Sequence, residues 1–365
     1  MDAEVIVIGA GIVGAACALA LAQAGRRVRV LDAQCGGATG AGMGHLVVMD
    51  DNPAELALSR HSAAQWRALA PRMGAECAYS ACGTLWVAAN DEEMAEAERK
   101  RERLRAHGIE SRLLDAAALG RAEPALRPGL AGALEVPGDG IVYAPNAARW
   151  LIAQGGGAID VTHAKVDAIE DDGTLRLADG RRCTAAQIVL ANGIEAATLC
   201  PELPIRPKKG HLLITDRYPG TVRHQLVELG YVTSAHHASG ESVAFNVQPR
   251  PTGQLLVGSS RQFDTTDPAV EAPMLARMLQ RAVDYLPGLA QLQAIRAWTG
   301  MRAATPDGLP LLGKHPWREK LWLAVGHEGL GVTTAPGSAH LLAALMTGAA
   351  ADFDAAPYAP RGLLA

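Results

Sequence analysis

Aromatic residues are scarce in this chain. Phe, Tyr and Trp make up 4% of 365 residues, while alanine is abundant, a compositional bias without functional content. Cysteine is sparse too. Cys17, Cys35, Cys77, Cys82, Cys183 and Cys200 form neither a C-x-x-C pair nor a zinc-type spacing, so no metal centre is expected. Cys17 falls in a helical run and Cys200 precedes a proline, which suits buried free thiols in a reducing compartment. Charge of one sign is missing as well. Charged residues are 20% and the net charge is -4, so no basic surface points to nucleic acid. No stretch of about 18 apolar residues occurs outside one alanine-rich helical run, so no transmembrane segment is expected.

What is present begins at once. Glu4 to Ile8 reads as a strand, Gly9-Ala10-Gly11-Ile12-Val13-Gly14 follows, and Ala15 to Ala24 reads as a helix. This is G-x-G-x-x-G in the strand–turn–helix setting that gives it meaning. Gly9 permits the tight turn, Gly11 lets the backbone approach a pyrophosphate, and Gly14 lets helix and strand lie close. Ile12 and Val13 bring the helix N-terminus to the phosphate charge. A second strand, Arg27 to Leu31, ends at Asp32, where a ribose-binding carboxylate is expected, with Ala33 beside it. A cleaved signal peptide would remove this site, so a cytoplasmic location is expected, with peripheral attachment to the inner membrane left open.

The length suggests two domains. Helices are expected over Pro53–Leu69, Asp91–His107, Pro145–Gln154, Ala272–Tyr285 and Ser338–Met346. Asp91–His107, acids first and bases later, reads as a solvated surface helix. Strands are expected over Gly83–Ala88, Ala158–Glu170, Leu175–Leu177, Gln187–Leu190, His211–Thr215, Ser242–Val247, Gln254–Ser259 and Leu321–Val325. The nucleotide fold is thus interrupted twice by sheet-forming segments. The fold class is α/β, a Rossmann-like FAD-binding domain interleaved with an antiparallel-sheet substrate domain. The first is assigned residues 1–80, 140–205 and 299–365, the second residues 81–139 and 206–298. A nucleotide domain completed by the last 50 or so residues suits the long FAD better than a nicotinamide.

Four segments carry a resemblance over nearly the whole length. They are Gly9 to Asp32; Gly40-Ala41-Gly42-Met43-Gly44; the run from Trp298 to Gly313, which follows W-x-G-x-R-x-x-T-P-D-G-x-P-x-I-G except for Leu312; and Gly326-His327-Glu328-Gly329-Leu330-Gly331-Val332-Thr333 through Gly337. The chain resembles the D-amino-acid oxidase, glycine oxidase and sarcosine oxidase family of FAD enzymes. In detail it is most similar to the catalytic subunit of bacterial D-hydroxyproline dehydrogenases, on His211 to Asp216 and Gly326 to Gly331.

The resemblance implies roles. Arg302 stands at the position that binds the substrate carboxylate, a task suited to a bidentate guanidinium. Gly329, Leu330, Gly331, Val332 and Thr333 would face the flavin's pyrimidine edge, Gly42, Met43 and Gly44 would lie beside the ring, and Val166, Ala191 and Gly193 would touch the adenosine end. His327 lies in the flavin turn; His45, His211 and Glu328 are further pocket-lining candidates. Asn246 or Phe245 would face the substrate. Gly300 occupies the position of a flavin-linking cysteine, so FAD is expected to be non-covalent. Leu256 replaces an oxygen-activating lysine, and Glu328 or Gly329 replaces an arginine of glycine oxidases.

The expected function is FAD-dependent oxidation of an amino or imino acid by hydride transfer from Cα to flavin N5, with D-hydroxyproline as substrate and further subunits of a heteromeric dehydrogenase as partners. Alternatives are a glycine or sarcosine oxidase producing hydrogen peroxide, and a flavin-binding scaffold subunit that only relays electrons. Arg302 argues against the scaffold, since a relay needs no carboxylate clamp.

Overall fold

The computed structural model describes residues 3–230 and 241–363. Strand Val5–Ile8 is β-branched at every position and buried on both faces, as a central parallel strand demands. It sits inside a six-stranded sheet ordered Leu311–Lys314, Leu321–Val325, Gln187–Leu190, Val5–Ile8, Val28–Asp32, Ile159–His163. Neighbours run parallel except for the edge hairpin Leu311–Lys314/Leu321–Val325. Val5 and Val7 face helices Ile12–Gln23, Ala144–Gln154 and Gly331–Thr347. Ile6 and Ile8 face the opposite layer, built from the small sheet of Val166–Ile169, Leu175–Leu177 and Arg182–Cys183 and from apolar residues of segment 196–205. The alanines of Ile12–Gln23 are buried nearly all round and let that helix lie against the closing helix Gly331–Thr347.

The second layer system is an eight-stranded sheet. Its order is Ala294–Ala304, Arg206–Arg217, Gln254–Phe263, Ser242–Pro249, Gln225–Glu228, Thr84–Ala88, Gly132–Val136, Arg112–Asp115. Helix Ala272–Tyr285 covers one face with Met274, Met278, Ala282 and Tyr285, a helical spacing. The expected α/β class with an interleaved antiparallel sheet is therefore correct. One pair departs from antiparallel: Gln225–Glu228 and Thr84–Ala88 run side by side in the same direction. They belong to different passes of the chain, separated by the return through the nucleotide layers, so no tight hairpin imposes opposite directions. Strand Ala294–Ala304 keeps pairing to Ala304, past the junction expected after residue 298.

Several expectations need correction. The extended stretch from Ala158 divides into Ile159–His163, the edge of the parallel sheet, and Val166–Ile169, part of the small sheet. Helix Asp91–Ala106 is not wholly solvated. Lys100 is 1% exposed, ion-paired with Asp50 and set over the Trp86 ring at 4.4 Å. Cys17, Cys77 and Cys200 are buried thiols, whereas Cys35 is exposed.

The closing helix starts at Gly331, seven residues ahead of expectation, and carries Pro336 inside it. Proline lacks the N–H that would reach the Val332 carbonyl. Helix Pro53–Leu69 supplies the remedy: Trp66 Nε1 donates to the carbonyls of Val332 and Thr333, both at 3.0 Å. Gly337 N–H donates instead to Ser62 Oγ at 3.1 Å, and a Cβ on Gly337 would lie 2.3 Å from that oxygen. A local reading of the sequence starts this helix only after the proline; hydrogen bonds from Trp66 and Ser62 extend it back to Gly331. Among the described residues no helix is long and apolar enough to cross a membrane.

Candidate functional site

At the first turn Gly9 has φ +103, and a Cβ there would lie 2.8 Å from the Ala191 carbonyl. A Cβ on Gly14 would lie 2.0 Å from the Gly9 carbonyl. These two contacts lock the strand end, the helix start and the Gln187–Leu190 strand end together. Gly11 caps the helix without a side-chain bond of its own, so the first turn's amides turn to partners elsewhere. Ile12 N–H meets Thr39 Oγ1 at 3.0 Å. Asp32 spans the neighbouring strand end: Oδ1 accepts from Ala10 N–H at 3.0 Å and Oδ2 from Gln34 N–H at 3.1 Å. Ala164 N–H donates to the Asp32 carbonyl at 3.0 Å, which brings the segment leading into Val166 beside Asp32 and Ala33. Asn192 Oδ1 is buried without a protein partner, next to Gly193 at φ +63. The structure thus gathers Gly9, Gly11, Ile12, Val13, Gly14, Asp32, Ala33, Ala191 and Gly193 at one rim, with Val166 behind it. Thr39 joins them and was not legible beforehand, because nothing local marks a threonine in a glycine-rich loop.

The loop after Asp32 folds into a short helix, Gly37–Ala41, and then crosses to the large sheet. Gly44, at φ +82, comes so close to Val142 that a Cβ would lie 1.9 Å from its carbonyl. Met43 is buried with Leu212 and Leu256, beside Trp298. Trp298 Nε1 donates to the Ala41 carbonyl at 3.0 Å, and a Cβ on Gly300 would lie 2.5 Å from Ala41 Cβ. Gly300 is therefore where strand and loop touch, and Gly42 starts the exit of that loop.

The C-terminal turn meets the same strand. Arg302 is half-buried; Nη1 donates to the Ser260 carbonyl at 3.2 Å, and the guanidinium lies over Gly210, 2.7 Å from where a Cβ would stand. A Cβ on Gly329 would lie 3.8 Å from Arg302 Cδ. Glu328, at φ +45, pairs with Lys208 Nζ. Burial pushes the Glu328 carboxyl up, but Lys208, Arg261 and Arg302 outweigh it and hold the group below its usual range. Glu55, at the start of helix Pro53–Leu69, moves the other way. Burial, then Asp51 and Glu328, push it up to about 8. Lys208, Arg261 and Arg302 thus surround Glu328, with Asp51 on the side of Glu55. Gly331 links this turn to the first one: a Cβ there would lie 3.9 Å from Val13 Cγ2. Thr333 Oγ1 donates to the His45 carbonyl at 2.8 Å, and Leu330 packs beside Val47, Val48 and Leu56.

The histidines separate. His327 is buried behind the turn, with Nε2 3.0 Å from Ser338 Oγ, and burial pushes its pKa down to about 4. His211 is fully buried between Ser260 Oγ, 2.9 Å from Nδ1, and the Glu271 N–H, which donates to Nε2 at 3.0 Å. It braces the start of helix Ala272–Tyr285. His45 faces the large sheet, beside Asn246 Nδ2 at 3.0 Å. Strand alternation sorts the pair at 245 and 246: Phe245 stacks on Tyr285 in the sheet's other core, centroids 4.4 Å apart, so Asn246 is the one on the His45 side.

The residues present fit FAD. The glycine cradle admits a backbone-hugging phosphate, and Asn192 Oδ1 beside it is a buried acceptor without a protein donor.

Comparison with known proteins follows the same line. Residues 4–345 match the family model described as FAD dependent oxidoreductase. A glycine oxidase of Geobacillus kaustophilus is 29% identical over 97% of this chain and 96% of its own. The crystal structure of glycine oxidase from that organism superposes with a TM-score of 0.88 at 27% identity, covering all of both chains. Hydrogen cyanide synthase subunit HcnC of Pseudomonas aeruginosa is 26% identical over 97% of this chain and 95% of its own.

Proposed function

The chain belongs to the family of FAD dependent oxidoreductases, and from that premise we propose that it oxidises the C–N bond of a small amino or imino acid. FAD is its cofactor. When bound, it supplies the two-electron acceptor. The observation that carries the reading is Arg302: a half-buried guanidinium fixed by the Ser260 carbonyl, beside the Gly329 turn. A cation so placed holds a substrate carboxylate and fixes which Cα hydrogen faces the reacting ring. Gly9, Gly11, Gly14 and Asp32 hold the dinucleotide. The N-terminal amides of Gly331–Thr347 stabilise negative charge at the other end. Met43, Leu212, Leu256 and Trp298 form the apolar wall between. The division into an FAD-binding domain of residues 1–80, 140–205 and 299–365 and a substrate domain of 81–139 and 206–298 belongs to this reading.

The substrate in this reading is D-hydroxyproline, oxidised by a cytoplasmic dehydrogenase that works with further subunits. Leu256 in place of a lysine supports a non-oxygen acceptor, and the likeness to a protein named as a subunit supports partners. A second reading, a glycine oxidase, is favoured by the likeness to glycine oxidases along the whole chain. Anaerobic mixing of the yellow protein with D-hydroxyproline, D-proline, sarcosine and glycine separates the two. Flavin bleaching by the prolines supports the first, bleaching by glycine alone supports the second, and no bleaching by any amino acid refutes both.

A further inference from the structure

The polar residues beneath Asn246 form one connected chain of donors and acceptors. Gln225 Nε2 donates to Thr84 Oγ1 at 2.6 Å, which turns Gln225 Oε1 toward His45 Nδ1. Gln248 Nε2 donates to the same Oε1 at 3.0 Å, and Arg250 Nη1 donates to Gln248 Oε1 at 3.0 Å, so the Gln248 amide is fixed as well. His45 Nδ1 lies against the Gln225 oxygen and, farther off, 3.2 Å from Gln248 Nε2, whose amide already donates to that oxygen; the nearer acceptor favours the ring proton on Nδ1, which leaves Nε2 as a lone pair. That lone pair receives Asn246 Nδ2 at 3.0 Å. The Asn246 amide is thereby turned so that Oδ1 points away from the imidazole, buried and without a protein donor.

Resting on the proposed amino-acid chemistry, we propose that Asn246 Oδ1 accepts a hydrogen bond from the substrate's nitrogen, and that His45 and Gln225 are positioning residues that keep this oxygen facing the substrate. Asn246 shares its face with His45, whose carbonyl accepts from Thr333 Oγ1 at the start of the closing helix, and pairs across the sheet with Gly258, where a Cβ would lie 3.0 Å from Met43 Sδ. Arg302 would hold the carboxylate and Asn246 the amine, so the two polar ends of an α-amino acid meet two different groups. A neutral imidazole is required. Burial, then Arg250 and Arg302, hold His45 neutral down to about 4, against the opposing Gln225 bond. Asp139, whose carboxylate bonds Thr84 at the far end, is pushed up by burial to about 7; the Gln225 amide is oriented from the other side, by Gln248, whose oxygen faces the donor-only Arg250.

The test is Gln225→Glu. A carboxylate on Nδ1 favours the imidazolium, whose Nε2–H then needs an acceptor. Asn246 must flip and present its NH2 group to the substrate. Expected is a rise in KM of about tenfold or more at low pH, the loss of one hydrogen bond to a charged group. The variant-to-wild-type ratio should recover as pH climbs from about 6 to about 9, past histidine titration. D-proline and glycine serve as probes, with FAD content measured alongside. A KM ratio that is flat with pH overturns the inference, while wild-type protein that oxidises neither probe nor D-hydroxyproline overturns the functional reading beneath it. Should Gln225→Glu fail to retain FAD, two measurements decide. Nitrogen-15 spectra of histidine-labelled wild type must show His45 protonated at Nδ1 only, and Asn246→Leu must raise KM while keeping the flavin spectrum. A Nε2-protonated His45, or an unchanged KM in Asn246→Leu, refutes it.

Discussion

Replacing Arg302 with alanine removes a guanidinium that is already held in place before substrate arrives. Its Ser260 bond and its seat over Gly210 mean that little side-chain entropy is spent on orienting it. Two parallel bonds to a carboxylate, each charge-assisted, contribute about 1.5–3 kcal/mol apiece. Breaking such a pair costs about 3–5 kcal/mol. At about 1.36 kcal/mol per decade, catalytic efficiency falls by roughly two to nearly four orders of magnitude. Lys208 and Arg261 remain beside Glu328 as other cations in this region, which argues for the lower half of that range. Arg302→Lys restores the charge but not the fork, and should recover only part of the loss. The assay is the rate of anaerobic flavin bleaching against substrate concentration, with FAD content measured in parallel. Wild-type efficiency in Arg302→Ala, with flavin fully bound, refutes the carboxylate clamp.

Asp32→Ala frees the Ala10 and Gln34 amides and removes a ribose acceptor; FAD affinity should fall by about tenfold or more, measured by fluorescence on flavin release. Acid precipitation of the wild type should leave FAD in the supernatant, and flavin in the pellet would refute non-covalent binding at Gly300. Turnover of cis-4-hydroxy-D-proline with an artificial dye should exceed turnover with oxygen, since Leu256 offers no cation; fast peroxide release from glycine with no activity on prolines would reverse that expectation. Trp66→Phe should destabilise the fold by about 1–3 kcal/mol, because the Val332 and Thr333 carbonyls lose their donor; an unchanged melting temperature would contradict the hydrogen-bond account.

Much of this fold could be read from the chain. Pro53–Leu69, Leu175–Leu177, Gln187–Leu190, Ala272–Tyr285 and Leu321–Val325 fall where periodicity and breakers place them. Asn52, capping Pro53–Leu69, marks its start by local chemistry alone: its side chain accepts from Glu55 N–H at 2.9 Å. The nucleotide turn was legible because each glycine has a steric reason. The rest lies in long-range pairing. Pro336 reads locally as lying ahead of the helix, and Trp66, 270 positions away, together with Ser62, carries the helix back to Gly331. Thr39, Ser260, Lys208 and Gln225 join the site through partners far along the chain, which no spacing rule reveals.

Helix Ile12–Gln23 rests on a helix made of residues 331–347, and this imposes an order of events during synthesis. Roughly 300 residues must leave the ribosome between the two, which at about 5–20 residues per second takes roughly 15–60 s. For that interval the alanine-lined face has no native partner, and the parallel sheet lacks the strands at 311–325. The half of the molecule begun first is therefore completed last. High loop-closure cost makes that final docking slow. FAD added during translation should protect the chain from proteolysis only after the last helix has emerged.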